Sequence, residues 1–267
     1  MSNILDQIVA DKRVEIERNK SLYPIKLLEQ STYFSGKPVS LKHYLRREDK
    51  VGILAEFKRQ SPSKGVINGS VSVEKTTIGY MQAGASGLSV LTDTKYFGGK
   101  NEDLITARNF NFCPILRKDF IIDEYQILEA KSIGADVILL IAAVLSPEQI
   151  KKLAAFAKSL GMEIILEVHD EDELNRSVNE HVDILGVNNR NLKTFVTDIT
   201  LSKELAEKIP SQFLKMSESG INDPATVVDL MGHGYEGFLI GEHFMKKGSP
   251  EREAKEFIDN IKGLLKQ

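Results

Sequence analysis

The sequence predicts an α/β fold in which eight parallel strands close into a barrel ringed by helices. Eight short runs rich in Val, Ile and Leu recur roughly every 20–30 residues, and stretches of helical period lie between them. This alternation implies parallel strands, because parallel neighbours need long crossovers. The length of 267 residues is that of such a barrel folded as one unit. An open doubly wound sheet is the competing architecture, but it calls for a glycine fingerprint after its first strand, and none stands there.

The elements follow in order. Residues 1–50 form an extension too short and too charged to bury a core of its own. Within it, 6–20 reads as an amphipathic helix, and 24–30 and 41–47 as two shorter ones. The strands are VGILAEF (51–57), GLSVLT (87–92), PILRK (114–118), DVILLIA (136–142), EIILEV (163–168), DILGVNN (183–189), FLKMSE (213–218) and GFLI (237–240). Helical stretches between and after them include 73–84, 124–134, 146–161, 199–209 and 250–267. Ser146-Pro147 is a good N-cap and first-turn pair, and Gly134 and Gly161 stand where a left-handed residue ends a helix. The expected architecture is a single (β/α)8 TIM-barrel domain over 1–267, with the helical extension of residues 1–50 capping the barrel mouth.

Composition narrows the class. Hydrophobic residues make up 42% and the net charge is −3, so no nucleic-acid or membrane partner is indicated. The single cysteine, Cys113, excludes an internal disulfide and reads as a buried apolar residue. No apolar run reaches the ~20 residues of a membrane span. The N-terminal residues have neither a signal-peptide core nor the acid-poor make-up of a transit peptide, so a cytoplasmic location is expected. The histidines lack paired ligand spacing, and neither a metal nor a cofactor is expected. His169 reads as structural and His233 as a turn residue.

The chemistry concentrates in ILAEFKRQSPSKG (53–65). Counting by twos, Leu54, Glu56 and Lys58 share one strand face, which sets a carboxylate and an ammonium at a strand's C-terminal end. Barrels of this class place their sites at those ends. The other ends offer Ser89 and Leu91, Lys118, Glu167, Asn188 with Arg190, Glu218, and Gly241-Glu242. Any one of these residues reads more simply as a solvated charge, but the set converging on one mouth reads as acid–base equipment. Ser61, Ser219, Gly220 and Gly241 suit a phosphate corner of open backbone N–H groups.

Seven motifs, AEFKRQSPSKG (55–65), SVLTDTKYFGG (89–99), ILRKDFIIDEYQ (115–126), LEVHDEDEL (166–174), GVNNRNL (186–192), SESGI (217–221) and LIGEHFM (239–245), occur in this order at barrel spacing. In them the chain resembles the indole-3-glycerol-phosphate synthases of tryptophan biosynthesis. The resemblance implies a carboxy-lyase that converts 1-(2-carboxyphenylamino)-1-deoxyribulose 5-phosphate to indole-3-glycerol phosphate, CO2 and water. It further implies Lys118 as general acid, with Lys58 and Glu167 as a second acid and a base. Glu56 would orient or deprotonate, and Asn188 and Glu218 would bind sugar hydroxyls and hold the lysines. Arg190 would meet the anthranilate carboxylate or support the residues around it. Ser61, Ser219, Gly220, Gly241 and the Glu242 N–H would cradle phosphate, and Leu91, Phe97 and Phe120 would wall the aryl ring, with Ser89 beside them. A weak association with other tryptophan-pathway enzymes is expected. One departure is Lys100, where family members often carry Ser; it lies outside the strand ends, so a local change only is expected, with an added cation near the mouth as a further hypothesis.

Other readings differ at particular residues. A phosphoribosylanthranilate isomerase typically carries a Cys on its first strand, where Glu56 and Lys58 stand here. A tryptophan synthase α subunit would not need the Lys58–Lys118 pair, and a non-catalytic phosphosugar-binding protein would need none of this acid–base set.

Overall fold

Each of the eight apolar runs forms a strand in the computed structural model of the chain, which describes residues 4–192 and 194–266. The strands are β1 (Ile53–Phe57), β2 (Gly87–Leu91), β3 (Ile115–Lys118), β4 (Val137–Ile141), β5 (Glu163–Val168), β6 (Ile184–Asn188), β7 (Leu214–Glu218) and β8 (Gly237–Ile240). Every neighbouring pair is parallel, and β8 pairs back onto β1 to close the barrel. Side chains alternate across each strand. On β1, Leu54 joins the barrel interior with Leu116, Val137, Ile165 and Leu239, while Ile53, Ala55 and Phe57 pack outward against the helices.

The helices are α1 (Ile4–Leu22), α2 (Ile25–Glu29), α3 (Leu41–Leu45), α4 (Val73–Ala83), α5 (Thr94–Phe97), α6 (Asn101–Phe110) and α7 (Glu124–Ser132). They continue with α8 (Pro147–Ser159), α9 (Glu171–Ser177), α10 (Thr200–Ala206), α11 (Pro224–Gly232), α12 (Glu242–Met245) and α13 (Pro250–Leu264). Local chemistry sets their ends. Ser146 and Gln149 form a capping box ahead of Pro147. Gly134 and Gly161 follow α7 and α8 with φ of +93° and +80°, as the helix-end reading required. His233 is the C-cap of α11, and Cys113 is buried, which pushes its thiol up to about 12. The expected bounds included 1–3 and Gln267, which lie outside the described residues. Among the described residues, no helix is long and apolar enough to cross a membrane.

The extension meets both ends of the barrel. Ile4, Leu5 and Ile8 of α1 roof a cavity at the C-terminal ends of the strands. At the opposite end, Leu41 and Leu45 of α3 join the interior cluster. There the Ser40 hydroxyl donates to Glu163 at the start of β5 (2.5 Å), and the Val39 N–H donates to Asp136 just before β4 (2.8 Å).

A buried ion network docks α1. Lys12 is only 1% exposed, and its Nζ lies 2.9 Å from both Asp93 and Asp119, at the ends of β2 and β3. Arg117 reaches Asp119 at 3.3 Å and Glu129 at 2.6 Å from the far side, and the Thr92 hydroxyl donates to Asp119 at 2.5 Å. Burial alone would strip the charge from Lys12, but Asp119 and Asp93 outweigh it and hold the ammonium well above its ordinary range. Removing one partner of such a group strands buried charge, which costs about 3–5 kcal/mol. We expect Lys12→Met to lose about that much stability in urea unfolding, with faster amide exchange along α1. A loss under about 1 kcal/mol would mean that the network does not hold the helix.

Candidate active site

Parallel strands that tilt around a barrel deliver their last inward residues to one bowl. Here the bowl is a cavity of about 440 Å³ bounded by strand ends, the loops after them and the start of α1. β1 supplies Glu56 with Lys58 just beyond it, β3 Lys118, β5 Glu167, β6 Asn188 and β7 Glu218. The polar floor adjoins an apolar wall of Leu91, Phe97, Phe120 and Ile141, with Ile4, Leu5 and Ile8 above. Phe97 and Phe120 lie with ring centroids 6.1 Å apart.

Lys118 holds the centre. Its Nζ donates to Glu218 Oε2 at 2.5 Å and to Glu167 Oε2 at 3.2 Å. Lys58 makes a separate pair with Glu56 at 2.6 Å. Neither ammonium is turned to bulk water, for the Lys118 and Lys58 side chains are 15% and 14% exposed. Burial disfavours the charged form of Lys118, but Glu218 and Glu167 reverse that and hold its proton far above the ordinary lysine range. Burial likewise opposes a charge on Glu167, but Lys118 and His169 overcome it and Asn188 adds a hydrogen bond, so Glu167 stays strongly acidic. Glu218 goes the other way. Burial and the nearby charges of Glu167 and Glu56 outweigh Lys118 and raise it to about 7. Its buried Oε1 finds no hydrogen-bond partner among the described residues, so the support for its ionisation comes from Lys118 on Oε2 alone. Carboxylates pushed apart in this way divide acid from base roles.

Two glycines make room for the carboxylates. A Cβ on Gly186 of β6 would lie 2.5 Å from Glu218 Oε1, and one on Gly241 would lie 2.4 Å from Glu56 Oε1. On the rim, Arg190 reaches Glu242 at 3.0 Å and the Ser63 hydroxyl at 3.2 Å. This joins the loop after β6 to α12 and to the hairpin after β1 (60–66). Ser219 and Gly220 adopt positive φ of 67° and 79°, which turns the backbone after β7 sharply beside Gly241 and Ser61 in the cavity wall.

The cavity brings together Glu56, Lys58, Lys118, Glu167, Asn188 and Glu218. It also collects Ser61, Leu91, Phe97, Phe120, Arg190, Ser219, Gly220, Gly241 and Glu242. It does not bring in Ser89. That residue faces inward but is level in register with Glu56 and Leu116, and the hydrogen-bonded row descends from Glu56 through Ser89 and Leu116 to Val137. Ser89 is therefore wholly buried, off the cavity lining, a correction to its reading as a substrate contact. Lys100 also lies off the lining. It is the exposed N-cap residue just before α6 and makes no side-chain cap, so the hypothesis of an added cation in the cavity is not met. Sequence reasoning passed over the roof residues Ile4, Leu5 and Ile8, whose spacing along an amphipathic helix was the available signal. It also passed over Asp119, which lines the cavity and binds Lys12.

The comparisons agree with this geometry. The family model described as indole-3-glycerol phosphate synthase matches residues 5–257. The chain belongs to the indole-3-glycerol phosphate synthase family. An indole-3-glycerol phosphate synthase of Bacteroides thetaiotaomicron is 46% identical over 98% of this chain and 100% of its own length. That of Campylobacter fetus is 41% identical over 92% of this chain and 95% of its own. The fold is also that of the tryptophan synthase α subunit of Legionella pneumophila, with a TM-score of 0.60 at 15% identity over 85% of this chain and 98% of that one. Membership of the indole-3-glycerol phosphate synthase family makes the chain a decarboxylating lyase of tryptophan biosynthesis with a small-molecule substrate.

The raised Glu218 has a consequence for stability. A carboxyl that ionises near 4.5 unfolded and near 7 folded binds more protons in the folded state between those values, so stability falls as pH rises through that window. Glu218→Gln cannot titrate. Wild type is therefore expected to lose stability relative to Glu218→Gln between pH 4.5 and 7 in urea denaturation. Parallel curves would show that Glu218 ionises at its ordinary pH.

Proposed function

We propose that Lys118 is the general acid of the ring closure and that its two carboxylates set its proton in place. The observation that carries this reading is the Lys118 ammonium held at 2.5 and 3.2 Å between Glu218 and Glu167 on the cavity floor, with the Lys58–Glu56 pair also lining that floor. When the aryl carbon attacks the substrate's ketone, negative charge gathers on the ketone oxygen. An alkoxide is a far stronger base than an amine, so it takes the proton from Lys118 although that proton is tightly held. Loss of CO2 restores the aromatic ring. The new hydroxyl then leaves as water with a proton from Lys58, while Glu167 removes a proton from the adjacent carbon. Glu56 orients Lys58 through their ion pair. Asn188 and Glu218 receive the sugar hydroxyls and hold the lysines.

Binding follows from the rim. Arg190 already faces a carboxylate, that of Glu242, and the substrate's benzoate would compete for the same guanidinium. Ser61, Ser219, Gly220, Gly241 and the Glu242 N–H receive the phosphate, and Leu91, Phe97 and Phe120 hold the aryl ring. The barrel and its extension work as one domain over 1–267, because α1 supplies the roof. The chain acts in the cytoplasm without a cofactor. The exposed run Leu22, Tyr23, Ile25 and Leu27 offers a surface for weak association with other enzymes of the pathway.

The test is direct. Purified protein given 1-(2-carboxyphenylamino)-1-deoxyribulose 5-phosphate should generate indole fluorescence. Lys118→Ala should lower kcat by about 10²–10⁴-fold, the usual size of a general-acid contribution. Near-normal turnover by that variant would reject the assignment.

A further inference from the structure

Glu167 is held from two sides. Its Oε2 accepts from Lys118 at 3.2 Å, and its Oε1 lies 3.3 Å from the imidazole Nε2 of His169, an ion-pair contact without the alignment of a hydrogen bond. His169 is itself fixed. Its Nδ1 lies 3.1 Å from Glu173 Oε2 in the first turn of α9, and its backbone N–H donates to the same oxygen at 2.8 Å. The His169 side chain is 11% exposed and does not line the cavity. The imidazole is thus wedged between a cavity carboxylate and a helix-terminus carboxylate.

We infer that His169 is a positioning residue that locks the Glu167 carboxylate, through its Oε1, in the place and charge state needed to take the substrate's proton. The inference rests on the reading of Glu167 as the base. Three observations support it. A carboxylate on a strand end can rotate about its last side-chain bonds, and two cations on its two oxygens remove that freedom. Burial opposes a charge on His169, but Glu167 and Glu173 outweigh it and raise the imidazole to about 10, so it is a cation at neutral pH. The remaining groups that face Glu167 are Asn188 from β6 and, through Lys118, Glu218 from β7, and neither can replace a positive charge on Oε1. A mere cap on α9 would need only the bond to Glu173, and Asp170 already caps that helix by accepting from the Glu173 N–H at 2.7 Å.

The experiment measures kcat and KM per folded enzyme, by indole fluorescence, for His169→Asn, Glu167→Gln and the double variant, with folded fraction from thermal melting. The lock predicts a fall in kcat of about tenfold for His169→Asn, the worth of one pKa unit of charge support, at nearly unchanged KM. It also predicts that the same substitution costs nothing further in the Glu167→Gln background. Glu173→Ala, which frees the imidazole without touching Glu167, should lower kcat in the same direction, and it stands in if His169→Asn fails to fold. An equal loss in both backgrounds, or an unchanged kcat in His169→Asn, would overturn the lock and leave His169 as structural support. Near-normal turnover in Glu167→Gln would reject the base reading itself, and the lock with it.

Discussion

One buried ammonium organises this site. Lys118 cannot keep its charge in a half-closed bowl unless carboxyl oxygens surround it, and Glu218 and Glu167 supply them at 2.5 and 3.2 Å. Two carboxylates so close cannot both ionise at ordinary pH without further positive charge. The structure divides them: Glu167 gains His169 and Asn188 and stays anionic, while Glu218, with one oxygen unpartnered, rises to about 7. The proton inventory of the cavity thus follows from which carboxylate has more donors around it.

The barrel makes this crowding feasible. Each strand brings at least one residue to the bowl, and the glycines at 186 and 241 leave volume that any other residue would take from Glu218 and Glu56. The extension completes the enclosure. α1 carries apolar residues over the cavity, and Lys12 anchors it to Asp93 and Asp119, so the roof and the Lys118 strand share a carboxylate that immediately follows Lys118 in sequence. The enclosure keeps the local dielectric low and the charge–charge interactions strong.

Much of this was legible in the chain. Strands show because buried parallel strands are continuous apolar runs between turn residues, and the inward set at each end follows from counting by twos. Parity says which way a side chain faces but not how high it sits. Ser89 therefore looked like a site residue, while the stagger of the strands puts it below the cavity floor. Lys12 was hidden because a lysine on a charged helix reads as solvated, and only the fold brings two aspartates to it. His169 offered a signal that was set aside. It follows Glu167 by two residues and so shares its side of the chain, but a lone histidine gives no hint of a partner until α9 presents Glu173. Gly186 carries no signal of its own, since its reason is a carboxylate from the neighbouring strand.

The ionisation of Lys118 can be observed directly. In protein carrying ¹⁵N-labelled lysine, with the Lys118 Nζ signal assigned by its loss in Lys118→Arg, a titration through alkaline pH follows its proton without substrate. Held between Glu218 and Glu167, Lys118 should remain an ammonium beyond pH 10.5, the value of an unperturbed lysine, while exposed lysines titrate around it. A Lys118 signal that titrates at or below 10.5 would contradict the account, because the carboxylates would then not be holding the proton.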